Sequence, residues 1–292
     1  MSDAPGPYRR WILAARPRTL PAAGVPVVVG TLLIRPSSIN WVNSLLCLFN
    51  ALALQIGTNY ANDYSDGVRG TDEVRVGPFR LTASRLVPAT RVRSAAYLGF
   101  ALACAAGLAL ASRTSWWLVL IGATAVLAGW FYTGGPRPYG YYGFGELFVF
   151  VYFGLVATVG TAYVQHLTIP SRAWWLGVAT GFMACALLEA NNLRDVEGDR
   201  ATGKKTLAAR LGRTRSSWLY LMCVIGVVVG TLGARQLVVG LVGVLIYTPA
   251  LQMAFSTASG KELLPMLKYS ARAQLGIGAL LGALLAANAY WG

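Results

Sequence analysis

Two short stretches of this 292-residue chain hold most of the side chains that can do acid or metal chemistry. They read NYANDYSDGVRGTD at 59–72 and EANNLRDVEGDRATGKKTL at 189–207, in a chain that has 11 acidic residues altogether. In each stretch an asparagine and two aspartates recur every three or four residues, which is the spacing of one helical face. These residues are Asn59, Asp63 and Asp66 in the first stretch, and Asn191, Asp195 and Asp199 in the second.

Carboxylates stacked one turn apart repel each other, so a cation has to offset them. Lysine and arginine can do so in a salt-bridge network. Alternatively, Mg²⁺ can bridge the carboxylates and complete its shell with substrate phosphate, which predicts that the two stretches face each other around a diphosphate. The candidates for contacting that diphosphate are the nearby amides and basic side chains: Asn59, Asn62, Arg69, Arg80, Asn191, Asn192, Lys204 and Lys205.

The elements that must position these residues are membrane helices. Charged residues make up 12% of the chain, against roughly 25% in soluble domains. We predict an all-α protein in which residues 1–292 form a single domain. Nine apolar stretches approach the roughly 20 residues needed to cross a bilayer: about 20–34, 41–60, 95–111, 115–133, 144–164, 172–192, 217–233, 236–256 and 270–290. Polar segments on the N-terminal side are then 1–19, 61–94, 134–143, 193–216 and 257–269.

The distribution of charge predicts the orientation of these helices. With the N-terminus in the cytoplasm, all Lys and Arg residues except Arg35, Arg113, Arg172 and Arg235 fall in cytoplasmic segments or helix ends, as the positive-inside rule predicts. All acidic residues fall on the same side, although the positive-inside rule makes no prediction for acidic residues. We therefore expect a functional site at the cytoplasmic face of the cell membrane. The net charge of +14 follows from topology and does not indicate nucleic-acid binding.

A secondary transporter is the alternative from another functional class, because intramembrane acids commonly mark ion pathways. Transporter sites lie near the bilayer midplane on broken helices, whereas these aspartates lie at helix ends beside basic residues. The four cysteines are isolated, and the single histidine, His166, falls in a predicted outer loop. The sequence therefore predicts neither a disulfide nor a Cys/His metal site.

The two aspartate stretches resemble the paired motifs of the UbiA superfamily of intramembrane prenyltransferases. The first motif of that family reads NDxxDxxxD, and NDYSDGVRG at 62–70 matches it except that Gly70 replaces the last aspartate. Asp72 lies two residues further on, and its role is left open. The resemblance implies a nine-helix bundle that binds Mg²⁺ and, through it, a polyprenyl diphosphate. By resemblance the catalytic, metal-binding residues are Asp63, Asp66, Asp195 and Asp199.

Four stretches together narrow the resemblance within this family. They are the two aspartate stretches, ARPRTLP at 15–21 and YTGGPRPYGYYGFGE at 132–146. They resemble members that act on 1,4-dihydroxy-2-naphthoate, which implies prenyl transfer with loss of CO₂ and diphosphate to give demethylmenaquinone. The alternative acceptors are 4-hydroxybenzoate and homogentisate. Candidates for binding the acceptor are Arg16, Arg18, Tyr132, Arg137 and Tyr141.

Overall fold

The computed structural model describes residues 6–71 and 79–291, and this part of the chain is helical with no strand. Short 3₁₀ turns at Pro17–Thr19, Tyr139–Tyr142 and Gly260–Leu263 lie between longer helices. The helices are α1 Pro7–Ala14, α2 Leu20–Leu32, α3 Trp41–Val68, α4 Ala89–Arg113, α5 Trp117–Phe131, α6 Gly145–His166, α7 Ser171–Ala201, α8 Leu207–Leu211, α9 Arg213–Gly233, α10 Leu237–Ala254 and α11 Leu264–Trp291.

Seven helices within the described residues are long and apolar enough to cross a membrane. They are α3, α4, α6, α7, α9, α10 and, together with the turn before it, α11. The predicted spans 20–34 and 115–133 form the shorter helices α2 and α5, of 13 and 15 residues. The prediction of an all-α, multi-pass membrane protein is confirmed, while the count of nine spans stays a prediction.

The helices that carry the aspartates are longer than hydropathy predicts. The predicted spans 41–60 and 172–192 correspond to α3 and α7, which continue to Val68 and Ala201. Hydropathy falls where Asn and Asp enter the sequence, yet the backbone stays helical and most of these polar side chains are buried. The aspartates therefore stand on the final turns of two long helices and not in flexible loops.

Helix α7 lies at the centre of the bundle. Of its most apolar 18 residues, 72% are buried, against 22–50% in the other six long helices. Glycines let α6 approach it closely, since a methyl group on Gly154 would lie 2.5 Å from the Cα of Gly181. Small residues of this kind permit the close packing that holds helices together in lipid. The contact fixes α7, and with it Asp195 and Asp199, against the core.

Candidate active site

Asp66, near the end of α3, lies in a buried charge cluster. The Tyr141 hydroxyl donates a hydrogen bond to its Oδ1 at 2.6 Å, and the Lys204 ammonium lies 3.3 Å from the same oxygen. The Arg80 guanidinium lies 3.7 Å from Oδ2. Asp66, Arg80 and Lys204 are 2%, 8% and 6% exposed. Burial and the Asp66 charge raise the pKa of Tyr141 above its ordinary value, so the hydroxyl stays protonated and can donate.

The chain turns sharply after α7 to bring Lys204 to this cluster. Gly203 has a φ of +74°, a conformation that glycine adopts without strain. The following amide, of Lys204, donates to the Asp199 carbonyl at 2.8 Å and satisfies one of the last carbonyls of the helix. The turn joins the two aspartate stretches, because Lys204 belongs to the second and its ammonium reaches Asp66 in the first.

The segment between α5 and α6 covers the cluster. The Tyr141 ring lies 4.7 Å from the Lys204 ammonium and 5.6 Å from the Arg69 guanidinium, both within the range of cation–π contacts. Arg69 also donates to the carbonyl of Thr133. The Thr133 hydroxyl in turn donates to Oδ1 of Asn62 at 2.8 Å. Two residues predicted to contact diphosphate, Arg69 and Asn62, thus hold this cover against α3.

The two aspartates of α7 have different partners. Arg194 donates to both oxygens of Asp195 at 2.7 Å, a buried bidentate pair. The Thr206 hydroxyl donates to Oδ2 of Asp199 at 3.2 Å. The sequence did not predict Arg194 or Thr206 as site residues. The position of Arg194 next to Asp195 is the signal that was available for the first of them.

Two asparagines predicted to contact diphosphate also make structural hydrogen bonds. The Asn59 amide donates to the Ala15 carbonyl at 2.8 Å, which ties the segment before α2 to α3. The Asn192 amide donates to the Glu146 carboxylate at 2.8 Å and ties α7 to α6. These amides fix the positions of the helices around the site, and their contacts with a diphosphate stay predictions.

The remaining predicted residues divide by location. Arg16 and Tyr132 line a chamber between the helices. Three predicted ligand contacts are instead exposed: Arg18, Arg137 and Lys205. Asp72 lies outside the described residues, so the structure says nothing about it.

The chamber is partly open, has a volume of about 600 Å³ and is lined by residues of α2, α3, α4, α5, α6 and α7. Its walls are mostly apolar and include most of the π-helical stretch Phe150–Val159 of α6. The end nearest the aspartates, called here the aspartate end, is lined by Arg16, Asn59, Asn62, Tyr132 and Asn191. The rest of the chamber has a mostly apolar lining, which suits an apolar ligand.

The polar side chains at and near the aspartate end that could hold a metal would do so through oxygen atoms. Within residues 6–71 and 79–291, no three Asp, Glu, His or Cys side chains converge into a ready-made metal site. Carboxylate and amide oxygens are the donors that suit Mg²⁺ rather than a softer transition metal. The residues therefore fit a hard cation that takes part of its coordination shell from a bound ligand.

A sequence profile of the UbiA prenyltransferase family matches residues 23–263, which include both aspartate stretches and nearly all of the chamber wall. The chain belongs to the UbiA prenyltransferase family. The resemblance inferred from the two motifs is thereby confirmed.

Its UbiA relatives include two bacterial proteins named 1,4-dihydroxy-2-naphthoate octaprenyltransferase. The one from Mycobacterium tuberculosis is 47% identical over 277 residues, which cover 92% of this chain and 94% of the relative. The one from Escherichia coli strain K12 is 36% identical over 214 residues, 70% of each chain.

Two solved UbiA homologues share the fold. The apo structure from Aeropyrum pernix K1 has a TM-score of 0.68 at 16% identity and covers 91% of this chain and 95% of its own. The Archaeoglobus fulgidus homologue, bound to GPP and Mg²⁺, has a TM-score of 0.65 at 15% identity and covers 95% and 99%. At these identities the likeness concerns the fold alone.

Proposed function

We propose that this protein transfers a polyprenyl group from a polyprenyl diphosphate to 1,4-dihydroxy-2-naphthoate, with loss of CO₂ and diphosphate, to give demethylmenaquinol, the quinol form of demethylmenaquinone. The observation that carries the proposal is a buried charge cluster at the end of α3, the helix whose Asn59 and Asn62 line the near end of an apolar chamber. A prenyl donor has a charged head and a long apolar tail, and each has a matching environment here. The relatives named for octaprenyl transfer to 1,4-dihydroxy-2-naphthoate support the choice of acceptor.

Mg²⁺ is the proposed cofactor. It is usually held by one or two carboxylates together with substrate phosphate and water, and Asp66 and Asp199 are the carboxylates that would hold it. All four predicted ligands have partners in the ligand-free structure. Those of Asp66 and Asp199 include the side chains of Lys204 and Thr206, which a bound metal can displace. Asp63 instead accepts two backbone amides, and Asp195 is held by the bidentate pair with Arg194. The metal role of Asp195 stays a prediction. When bound, the metal would draw charge from the diphosphate as a Lewis acid.

Lys204 and Arg80 are proposed to hold the donor head. Both are buried beside Asp66, where the low polarity of the surroundings strengthens their attraction for phosphate oxygens. When the allylic C–O bond breaks, its electron pair leaves with the diphosphate, and these fixed cations stabilise the negative charge that develops. Tyr141 covers the cluster and limits the access of water to the allylic cation.

Arg16 is proposed to orient the acceptor. It lines the chamber at the aspartate end, and a guanidinium can pair with a ring carboxylate through two parallel hydrogen bonds. The allylic carbon then forms a bond to the ring, and the ring loses its carboxylate as CO₂. Because prenyl replaces carboxylate, the reaction releases no net proton and needs no dedicated base.

The aspartate end is proposed to face the cytoplasm. The basic residues around it, which include Arg69, Arg80 and Lys204, fall on the side that the positive-inside rule assigns to the cytoplasm. The same orientation would open the site to a charged, water-soluble acceptor in the cytoplasm. A cysteine-accessibility assay in intact cells, with reporters placed at Lys205 and Arg235, tests this: only the second is expected to be labelled from outside.

An assay in detergent with radiolabelled polyprenyl diphosphates and a panel of aromatic acceptors tests the reaction. We expect Mg²⁺-dependent product with 1,4-dihydroxy-2-naphthoate, released CO₂ in equal amount, and little product with 4-hydroxybenzoate or homogentisate. If the protein preferred either of those acceptors, the proposed prenyl transfer would stand, but the proposed acceptor would be wrong. A protein that made no prenylated product and moved an ion across liposomes would instead be a transporter.

The chamber is proposed to hold the donor tail, and α5 offers a matched pair of residues to test this. Gly122 lines the chamber with open space beside its Cα, whereas its neighbour Ala123 is exposed on the bundle surface. Gly122 lies about 15 Å along the helix from Tyr132 at the aspartate end. A leucine there should obstruct a long tail but leave room for a short one.

We expect Gly122→Leu to lower kcat/KM for an octaprenyl donor about tenfold, since overpacking typically costs about 1–3 kcal/mol. The same variant should use geranyl diphosphate at the wild-type rate, and Ala123→Leu should affect neither donor. Product formation with each donor measures these effects. An equal loss with both donors would show that the tail takes another path.

A further inference from the structure

Residues 79–88, which lead into α4, are fastened to α3 by Asp63. Its Oδ2 accepts the backbone amide of Leu81 at 2.8 Å, and its Oδ1 accepts the amide of Thr82 at 2.9 Å. Asp63 is 1% exposed and Leu81 is fully buried. One carboxylate therefore uses both of its oxygens to hold two consecutive amides that lie 18 and 19 residues further along the chain.

Packing holds the same segment against the helix. Leu81 lies in an apolar cluster with residues of α1 and α4. Gly67, one turn after Asp63 on α3, is in direct contact with the segment, because a methyl group there would lie 2.5 Å from Cβ of Thr82. The polar and apolar contacts together define a single docked position.

That position places Arg80, which directly precedes Leu81, in the charge cluster at 3.7 Å from Asp66. We propose that Asp63 is a positioning residue that holds Arg80 against Asp66 and the donor diphosphate, and is not a ligand of the metal. Asp63 then acts on the diphosphate through the backbone of Leu81. The kinetic part of this inference rests on the proposed prenyl transfer, whereas the anchoring of the segment does not.

The partners of the two aspartates explain why their roles differ. Asp66 contacts side chains, Lys204 and Tyr141 among them, and a change of rotamer can withdraw these when a metal binds. Asp63 contacts backbone amides, which cannot turn away unless the segment leaves its docked position and loses both hydrogen bonds. Buried amides left without an acceptor cost about 1–3 kcal/mol each. Asp66 is therefore the aspartate of this motif that can exchange side-chain partners for a metal.

Hydrogen–deuterium exchange and Mn²⁺ binding to the ligand-free protein separate the two roles. Asparagine at position 63 keeps the shape of the side chain but presents an NH₂ group where one amide needs an acceptor. We expect Asp63→Asn to speed exchange across 79–88 about tenfold or more, in line with the loss of one buried hydrogen bond. Its affinity for Mn²⁺, followed by electron paramagnetic resonance, should stay near the wild-type value. Asp66→Asn should instead weaken Mn²⁺ binding and leave the exchange rate across 79–88 near the wild-type value.

A double-mutant cycle on the donor KM tests whether Asp63 acts through Arg80. Asp63→Asn and Arg80→Met should each raise the KM for the prenyl diphosphate. The double variant should be no worse than Arg80→Met alone, because residues that act through one contact are not additive. Gly67→Ala keeps every carboxylate but displaces Thr82, so it should reproduce the faster exchange and the raised KM. If Asp63→Asn does not fold, this variant tests whether the docked segment positions Arg80.

Two results would overturn the inference. One is normal exchange across 79–88 in Asp63→Asn together with weakened Mn²⁺ binding, which would make Asp63 a metal ligand. The other is full additivity of Asp63→Asn and Arg80→Met. If the wild-type protein transferred no prenyl group, the proposed function would fail, while exchange and Mn²⁺ binding would still decide whether Asp63 anchors the segment.

Discussion

Asp66→Asn and Asp199→Asn are each expected to lower kcat/KM for prenyl transfer about 1,000-fold or more, as loss of a metal contact worth several kcal/mol implies. Asp66 bridges the two aspartate stretches through Lys204, and Asp199 begins the turn that positions that lysine. Asparagine keeps the size of each side chain but removes the charge that offsets a bound cation. The loss should therefore fall on catalysis and not on membrane insertion.

Glu197 provides a matched control. It lies on α7 between the two aspartates of the second stretch, but its side chain is exposed. Glu197→Gln removes one negative charge from the same turn and should stay within about twofold of the wild type, the range expected of an exposed charge. Initial rates at saturating and limiting Mg²⁺ measure all three variants. Activity near the wild-type level in both aspartate variants would contradict the metal proposal and leave Asp66 as a structural partner of Lys204 and Arg80.

The sequence predicts the meeting of the two stretches because side-chain spacing is visible in it. Aspartates every three or four residues imply one helical face, and the similar stretches at the ends of two helices imply a shared site. The structure brings Lys204, predicted from the second stretch, to Asp66 in the first. The sequence also predicts the all-helical class, since an apolar stretch of about 20 residues that crosses a membrane forms a helix.

Partners that belong to the backbone are not visible in the sequence. No nearby residue in the sequence indicates that Asp63 accepts hydrogen bonds from the amides of Leu81 and Thr82. The same is true of the hydrogen bond from Asn59 to the carbonyl of Ala15. Every residue has backbone polar groups, so only the fold determines which of them form hydrogen bonds with a given side chain. The apolar spans end before the helices do for a related reason: hydropathy reports contact with lipid, and α3 continues as a helix beyond the point where its side chains become polar.

Arg16 and Arg18 were equivalent candidates in the sequence, and the structure separates them. Arg16 lines the chamber, whereas Arg18 is exposed. The backbone of Arg16 has a φ of +54°, a left-handed conformation that costs a non-glycine residue about 1–2 kcal/mol. The hydrogen bond from the Asn59 amide to the Ala15 carbonyl, and that from the Gln55 amide to the Thr19 hydroxyl, hold this turn against α3. The turn is thus fixed in a conformation that brings Arg16 to the aspartate end.

Arg16→Gln is expected to raise the acceptor KM about 10- to 100-fold, the effect of losing a charge-assisted hydrogen bond worth about 1.5–3 kcal/mol. The donor KM should change little, because Lys204 and Arg80 hold the diphosphate in this proposal. Arg18→Gln is the matched control and should leave both constants unchanged. Arg16→Lys should give an intermediate acceptor KM, since an ammonium keeps the charge but loses the planar fork that binds a carboxylate through two hydrogen bonds.

Steady-state kinetics with each substrate varied in turn distinguish the possible roles of Arg16. A larger effect on the donor KM would assign its guanidinium to the diphosphate. A fall in kcat with both KM values unchanged would assign it to the reacting atoms. Asn59→Ala extends the test, because it removes the bond that holds the turn but leaves the guanidinium in place. If the geometry of the turn matters, this variant should raise the acceptor KM in the same direction as Arg16→Gln.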